Sequence, residues 1–483
     1  MEKPVNKSSL PPKGLPSDTI LGQLLQMQRS DVDWKRGRTW STVYYADEAH
    51  DRLLKEAYGQ YFSTNYLNPF AFKSLQKMES EVVVMTAGML HGGPDTVGTM
   101  SSGGTESILL AVYTCREWAR ENRPGIKSPE IVAPQTIHPA FDKAAHLFGL
   151  RVRKAPVDEN RRANPKKMEA LFNKNTIMLA ASAPSYPNGI LDPIPEIGAL
   201  AEKHHLPFHV DSCIGGFMLP WVERLGAQLH PWDFRVPGVT SMSADVHKFG
   251  YGAKGASVVL YRSMDFLKHQ FFIATGFPGG IYASATLAGT RPGGAIAAAW
   301  AGMKHLGEEG YLAIAKKLME ATRQLRQGME EIPEISIVGE PCMNILSYAT
   351  RSNRPDIFVV ADFLEEKGWM VDRQQNPETV HLTVTPTNVP VIGRYLEDLK
   401  AAVAHAKAHP EAAARGNAAL YGLMARIPFR GMVEKNVRQI LVNMYGTSTG
   451  GTDEREASSP IAEGPKWMGW LNRILAWLRK GSG

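Results

Sequence analysis

In the stretch SADVHKFGYGAKGA, residues 243–256, a histidine and a lysine stand side by side, and a second lysine follows six positions on. Lys248 comes just after a short apolar run, Val239–Met242. It reads as a solvated surface charge, a helix C-terminal residue or a buried amine able to form a covalent bond. Three other stretches carry polar groups at the ends of strand-like runs. SSGGTES (101–107) reads as a strand-to-helix junction, whose glycines let the backbone approach an anion and whose first free N–H groups bind it. Thr105 suits an N-cap there, and Glu106 suits the positive end of the helix dipole. The GK[ST] ending of a nucleotide P-loop is absent, which argues against ATP. HVDSCIGGF (209–217) ends a buried strand on Asp211. That carboxylate either caps the next segment or pairs with a buried cation, because leaving it unpaired is costly. In TIHPAFDK (136–143), His138 follows a strand and precedes Pro139, as a helix cap or as a flat ring presented to a ligand. His204, His205 and His209 mix helix and strand spacing, so no metal site is expected.

Taken in chain order, these groups are an anion cradle, a histidine, a strand-end carboxylate and a lysine. Pyridoxal phosphate needs that set. Its phosphate favours a helix N-terminus, its ring nitrogen a carboxylate that keeps it protonated, and its aldehyde an amine.

The elements that must position them follow from the apolar pattern. Strands are predicted at Glu130–Ala133, Arg151–Val157, Thr176–Ala181, Pro207–Asp211, Val239–Met242 and Ala256–Tyr261, with helices near 104–121, 138–148, 165–172 and 193–204. This alternation predicts an α/β fold with a mostly parallel sheet covered by helices, its ligands at the carboxyl ends of the strands. Residues 1–60 read as an N-terminal arm, 61–310 as the large domain and 311–446 as a smaller C-terminal α+β domain. Residues 447–483 read as a flexible tail. Within that tail, PKWMGWLNRILAWLRKG places Trp467, Trp470, Leu471, Ile474, Leu475, Trp477 and Leu478 on one face. Lys466, Asn472, Arg473, Arg479 and Lys480 lie largely opposite. Such a helix suits a membrane surface or a docking face on the protein itself or its partner subunit.

Composition narrows the class. At 43% apolar and 21% charged, the 483-residue chain is that of a folded protein. Three scattered cysteines argue against a disulfide framework and for a reducing compartment. The net charge of +6 is spread out, without the basic, aromatic-interleaved stripe that nucleic-acid binding needs.

SSGGTES, HVDSCIGGF, SADVHKFGYGAKG and YASATLAGTRPGG closely resemble the sphingosine-1-phosphate lyases, over about Tyr44 to Tyr445. These are fold-type-I pyridoxal phosphate enzymes related to the glutamate and aromatic amino-acid decarboxylases. The resemblance implies that Lys248 bonds the aldehyde carbon of pyridoxal 5′-phosphate, that His138 stacks on its ring and that Asp211 pairs with its nitrogen. Gly104, Thr105, Ser243 and His247 would hold its phosphate, and Gly289 and Thr290 would reach it from the other subunit of a homodimer. The substrate phosphate would fall to Tyr44, Lys254 and a loop that in the family often reads NPLHP. Here the loop reads Asn65-Tyr66-Leu67-Asn68-Pro69, so Asn68 stands where the family often has histidine. An amide donates to phosphate but carries no charge.

The implied reaction is C2–C3 scission of a phosphorylated long-chain base to a long-chain aldehyde and phosphoethanolamine. Lys248, Lys254 and Tyr186 are the candidate bases for the C3 hydroxyl, and Tyr186 is also read as orienting that hydroxyl or as a packing aromatic. The alternatives are an amino-acid decarboxylase of the same fold and a non-catalytic binding or membrane-docking protein that keeps it. The chain resembles the soluble bacterial members, which implies a cytoplasmic protein with peripheral membrane contact through residues 465–480.

Overall fold

The computed structural model describes residues 10–445, apart from residue 12 and residues 427–429. The tail and its amphipathic stretch at 465–480 lie outside the described residues.

The central sheet has seven strands: β1 (Val97–Ser101), β2 (Glu130–Pro134), β3 (Arg151–Ala155), β4 (Thr176–Ser182), β5 (Phe208–Asp211), β6 (Ser241–Ala244) and β7 (Ser257–Tyr261). Their order is β1-β7-β6-β5-β4-β2-β3. The run from β3 to β6 is parallel, while β7 is antiparallel to both of its neighbours. Helices such as Gly104–Asn122 and Ile194–Lys203 connect the parallel strands. The interior strands are buried on both faces, and β4 and β7 bury every residue. This explains their near-continuous apolar runs, which are read more easily than the half-polar β1 or β3.

The last strand predicted from sequence before Lys248, Val239–Met242, is displaced to β6. Val239 is instead held in a turn by its N–H to Val236 O, and pairing with β5 begins at Ser241 opposite His209.

A hairpin of β8 (Phe272–Ala274) and β9 (Tyr282–Ser284) precedes a long helix, Gly293–Glu330, which crosses residue 310 and bends at Gly307. The small sheet is antiparallel: β10 (Ile335–Ile337), β11 (Ile345–Thr350), β12 (Asp372–Gln374) and β13 (Thr379–Thr383), in the order β10-β11-β13-β12. The N-terminal segment binds this sheet side. Trp40 packs on Trp369 and Tyr395, and its carbonyl accepts from Thr383 N at 2.7 Å. The chain then runs on to deliver Thr42 and Tyr44 to the carboxyl edge of the large sheet.

At that edge the β6–β7 loop, residues 245–256, is fastened from behind. Tyr311 Oη, on the long helix, donates to Gly250 O at 2.9 Å, and the His50 ring nitrogen Nε2 lies 3.0 Å from Tyr251 O. Tyr251 holds φ +52°, a left-handed conformation costly for an aromatic residue, and a Cβ on Gly250 would lie 2.5 Å from Val246 O. The loop that carries Lys248 therefore has a defined shape set by contacts from two helices.

Candidate active site

Two adjoining hollows of about 400 and 390 Å³ open at the carboxyl ends of β4, β5 and β6. His138, Asp211, Cys213, His247, Lys248 and Lys254 line both. Tyr44 and Tyr186 close one side, and Gly103, Gly104 and Thr105 form the floor of the other. These residues come from six separate stretches of chain, which meet where a parallel sheet presents its strand ends.

The cradle is the start of helix Gly104–Asn122. Thr105 was expected as its cap, but the helix begins two residues earlier, with Gly103 in the cap position. The Glu106 carboxylate accepts from Ser102 N at 2.7 Å, closing the glycine turn so that Gly103 precedes the first helical residue. The N–H groups of that first turn have no partner inside the helix and point at the hollow's floor. A Cβ at Gly104 would lie 2.6 Å from Asp245 Oδ2 and 2.8 Å from Cys213 Sγ, so only glycine fits.

His138 takes both roles open to it. Its Nδ1 accepts from Ala140 N at 3.1 Å, capping helix Ala140–Phe148, while its ring lines both hollows. Asp211 likewise accepts from Cys213 N at 3.0 Å and faces the cavity. Ser243 is buried beneath it, with Oγ 3.2 Å from His209 Nε2 and bonded to Cys213 Sγ at 3.1 Å. It lines neither hollow and sits with Asp211 rather than with the glycine cradle. Burial pushes His209 down to about 4, so the imidazole under Asp211 is neutral.

Lys248 Nζ lies 2.8 Å from Asp245 Oδ2. Burial alone would lower its pKa, yet Asp245, with Cys213 and Tyr44, carries the net shift upward. Burial would raise the acid of Asp245, and Lys248 and His247 outweigh it, leaving a net downward shift. Lys254 stands opposite, with Nζ donating to Thr42 O at 3.1 Å and His247 O at 3.2 Å, 4.9 Å above the Tyr44 ring. Burial, then the neighbouring Lys248 charge, lowers it to about 8. Tyr44 is pushed up to about 12 by burial. Tyr186 is raised by burial and then by Asp372, to which its phenol is hydrogen-bonded, and its ring stacks on His381 at 4.4 Å.

Three expected residues lie elsewhere in the chain. Gly289 lines a separate cavity beside Leu67, and Thr290 Oγ1 accepts from Asn65 Nδ2 at 3.2 Å. Asn68 uses its Oδ1 to accept from Phe70 N and Ala71 N, at 3.0 and 3.3 Å. Within one chain this group does not join Lys248. Asp245, Cys213 and Asp372 were missed from sequence. For Asp245 the signal was present, a carboxylate directly after a strand, as for Asp211. Among the described residues no cluster of His, Cys, Asp and Glu suits a metal ion.

The residues fit pyridoxal phosphate. An anion cradle that excludes side chains, a ring-facing histidine, a strand-end aspartate and a lysine amine share one cavity. Gly104→Ala should cut retention of pyridoxal phosphate about tenfold, ~1.4 kcal/mol, read by cofactor absorbance after gel filtration; unchanged retention would remove the cradle from this assignment.

Residues 4–351 match the family described as the pyridoxal-dependent decarboxylase conserved domain. The chain is 42% identical over 452 residues to a sphingosine-1-phosphate lyase of Arabidopsis thaliana, covering 92% of this chain and 82% of that one. It is 41% identical over 442 residues to sphingosine-1-phosphate lyase 1 of Rattus norvegicus, covering 91% and 77%. The solved sphingosine-1-phosphate lyase of Burkholderia pseudomallei matches with a TM-score of 0.80 at 41% identity, over 84% of this chain and 94% of that one. The chain belongs to the pyridoxal-dependent decarboxylase family and, within it, to the sphingosine-1-phosphate lyases.

Proposed function

We propose that this protein cleaves a phosphorylated long-chain amino alcohol between C2 and C3, releasing a long-chain aldehyde and phosphoethanolamine. The observation that carries the reading is the meeting of Lys248, Asp211 and the Gly103–Thr105 cradle in adjoining hollows with a second lysine, Lys254, across from them. Bound there, pyridoxal phosphate supplies the electron sink for the pair released when the carbon–carbon bond breaks. Asp211, held by Cys213 N above the neutral His209, is placed to keep the ring nitrogen charged. The His138 ring covers one face of the hollow.

Tyr44 and Tyr186 are neutral phenols through the physiological range and orient hydroxyl or phosphate oxygens by donating to them. The raised phenol of Tyr186 disfavours it as a base. Lys248 Nζ in its neutral form takes the C3 hydroxyl proton, and the resulting ammonium meets Asp245 Oδ2. Lys254 in its ammonium form, with Tyr44 beneath it, binds the substrate phosphate. Asn68, Gly289 and Thr290 complete the site from the second subunit of a homodimer. The exposed Phe62 and Phe70, flanking the 65–69 loop, and Phe277 and Ile281 of the β8–β9 hairpin support such an interface. Sedimentation of the cofactor-loaded protein as a monomer would overturn that part. The Trp-rich pattern at 465–480 supports peripheral contact with an anionic lipid surface, and no described helix is long and apolar enough to cross a membrane.

Incubation of the loaded protein with sphingosine-1-phosphate should yield phosphoethanolamine and a long-chain enal by mass spectrometry. Carbon dioxide from an amino acid, with neither product, would instead establish a decarboxylase. The Lys254 ammonium is present below its lowered value of about 8 and lost above it. With phosphorylated substrate, kcat/KM should therefore fall as pH rises through that value. Lys254→Met should raise KM at least about tenfold and remove this limb of the profile; a profile identical to the parent's would take Lys254 out of phosphate binding.

A further inference from the structure

A second buried carboxylate shares the hollow with Asp211. Asp245 opens the β6–β7 loop with Oδ2 2.8 Å from Lys248 Nζ, and no directed hydrogen bond from the described groups satisfies either oxygen. The carboxylate also presses on the anion cradle, at the 2.6 Å that excludes a Cβ from Gly104. The other titratable groups facing this pair are His247, whose Nε2 is 3.9 Å from Oδ2, Cys213 and Tyr44, with Lys254 and Tyr186 across the hollow. Burial keeps the Cys213 thiol and both phenols uncharged, and Lys254 repels a second ammonium. The negative charge beside Nζ is therefore that of Asp245.

We propose that Asp245 is the resting counter-ion that holds Lys248 as an ammonium and so sets the pH at which the protein captures its cofactor. Capture requires the lone pair on Nζ. That nitrogen bonds the aldehyde carbon, the carbonyl oxygen leaves as water with the amine's two protons, and the ammonium's third proton passes to solvent. Solvent reaches it, because the Lys248 side chain is 24% exposed. Asp245 then keeps the N-terminus of helix Gly104–Asn122 as its positive partner. Without Asp245, burial and the Lys254 charge would both push the amine towards its neutral, nucleophilic form.

The test follows the visible absorbance of the new C=N linkage after mixing cofactor-stripped full chain with pyridoxal 5′-phosphate, or with phosphate-free pyridoxal. In the parent protein the capture rate should rise close to tenfold per pH unit between about pH 6 and pH 9 with both aldehydes. Asp245→Asn, nearly isosteric, should capture both more than about tenfold faster near pH 7 and flatten the profile. A variant within about twofold of the parent, or slower, would overturn the proposal. A gain with pyridoxal 5′-phosphate alone would also overturn it, since the carboxylate would then be repelling phosphate and not holding the amine. Should the variant fail to fold, the parent's own profile with pyridoxal decides. A rate that is flat below about pH 8 means a neutral resting amine and removes the counter-ion role.

Discussion

Two carboxylates and two ammonium groups share one largely buried hollow, and the placement of their charges governs much of what surrounds them. A lone charge in such a place would be driven to neutralise, so every member is matched. Lys248 has Asp245, Lys254 has two backbone carbonyls and the Tyr44 ring, and Asp211 has the Cys213 N–H above a neutral imidazole. What is left over is a helix N-terminus whose glycines leave its backbone N–H groups open to an incoming anion.

The frame supporting this balance lies mostly behind the hollow. The reversal at β7 is decisive: because β7 runs against β6, the chain must turn back at the carboxyl edge, and the turn carries Asp245, His247, Lys248 and Lys254 together. Tyr311 and His50 fasten that turn from the long helix and from helix Glu48–Gln60, holding Tyr251 in a conformation its side chain disfavours. The small domain also contributes to the wall. Asp372 on β12 lies opposite His381 on β13, and together they hold Tyr186, one through its phenol and the other by stacking. The segment that brings Tyr44 to the site is itself anchored on that sheet by Trp40. A change in the packing of the small domain therefore reaches two phenols that line the hollow.

The α/β class and a mostly parallel sheet were legible because strands buried on both faces, such as TIMLAAS, leave unbroken apolar runs; that SVVLY runs antiparallel to its neighbours was not. Asp211 was legible for the converse reason, as a charge at the end of such a run. His138 kept two readings in the sequence; in the fold one ring nitrogen accepts from Ala140 N at the start of a helix and the residue lines the cavity. Ser243 was assigned to the cofactor phosphate by the family resemblance. In the fold, strand alternation turns it under Asp211 instead.

The sequence by itself determined the kinds of groups and their order along the chain, because residue type and strand-end position are local properties. Resemblance to a lyase family supplied their roles. Only the tertiary structure decided which charges meet. The 2.8 Å pairing of Lys248 with Asp245, the lowering of Lys254 and the exclusion of a side chain at Gly104 arise from burial and distances between segments far apart in sequence. The separation of Asn68, Gly289 and Thr290 from Lys248 within one chain is likewise a matter of sheet geometry. Charge balance in a buried site is a property of the space enclosed, and no single stretch of sequence encloses it.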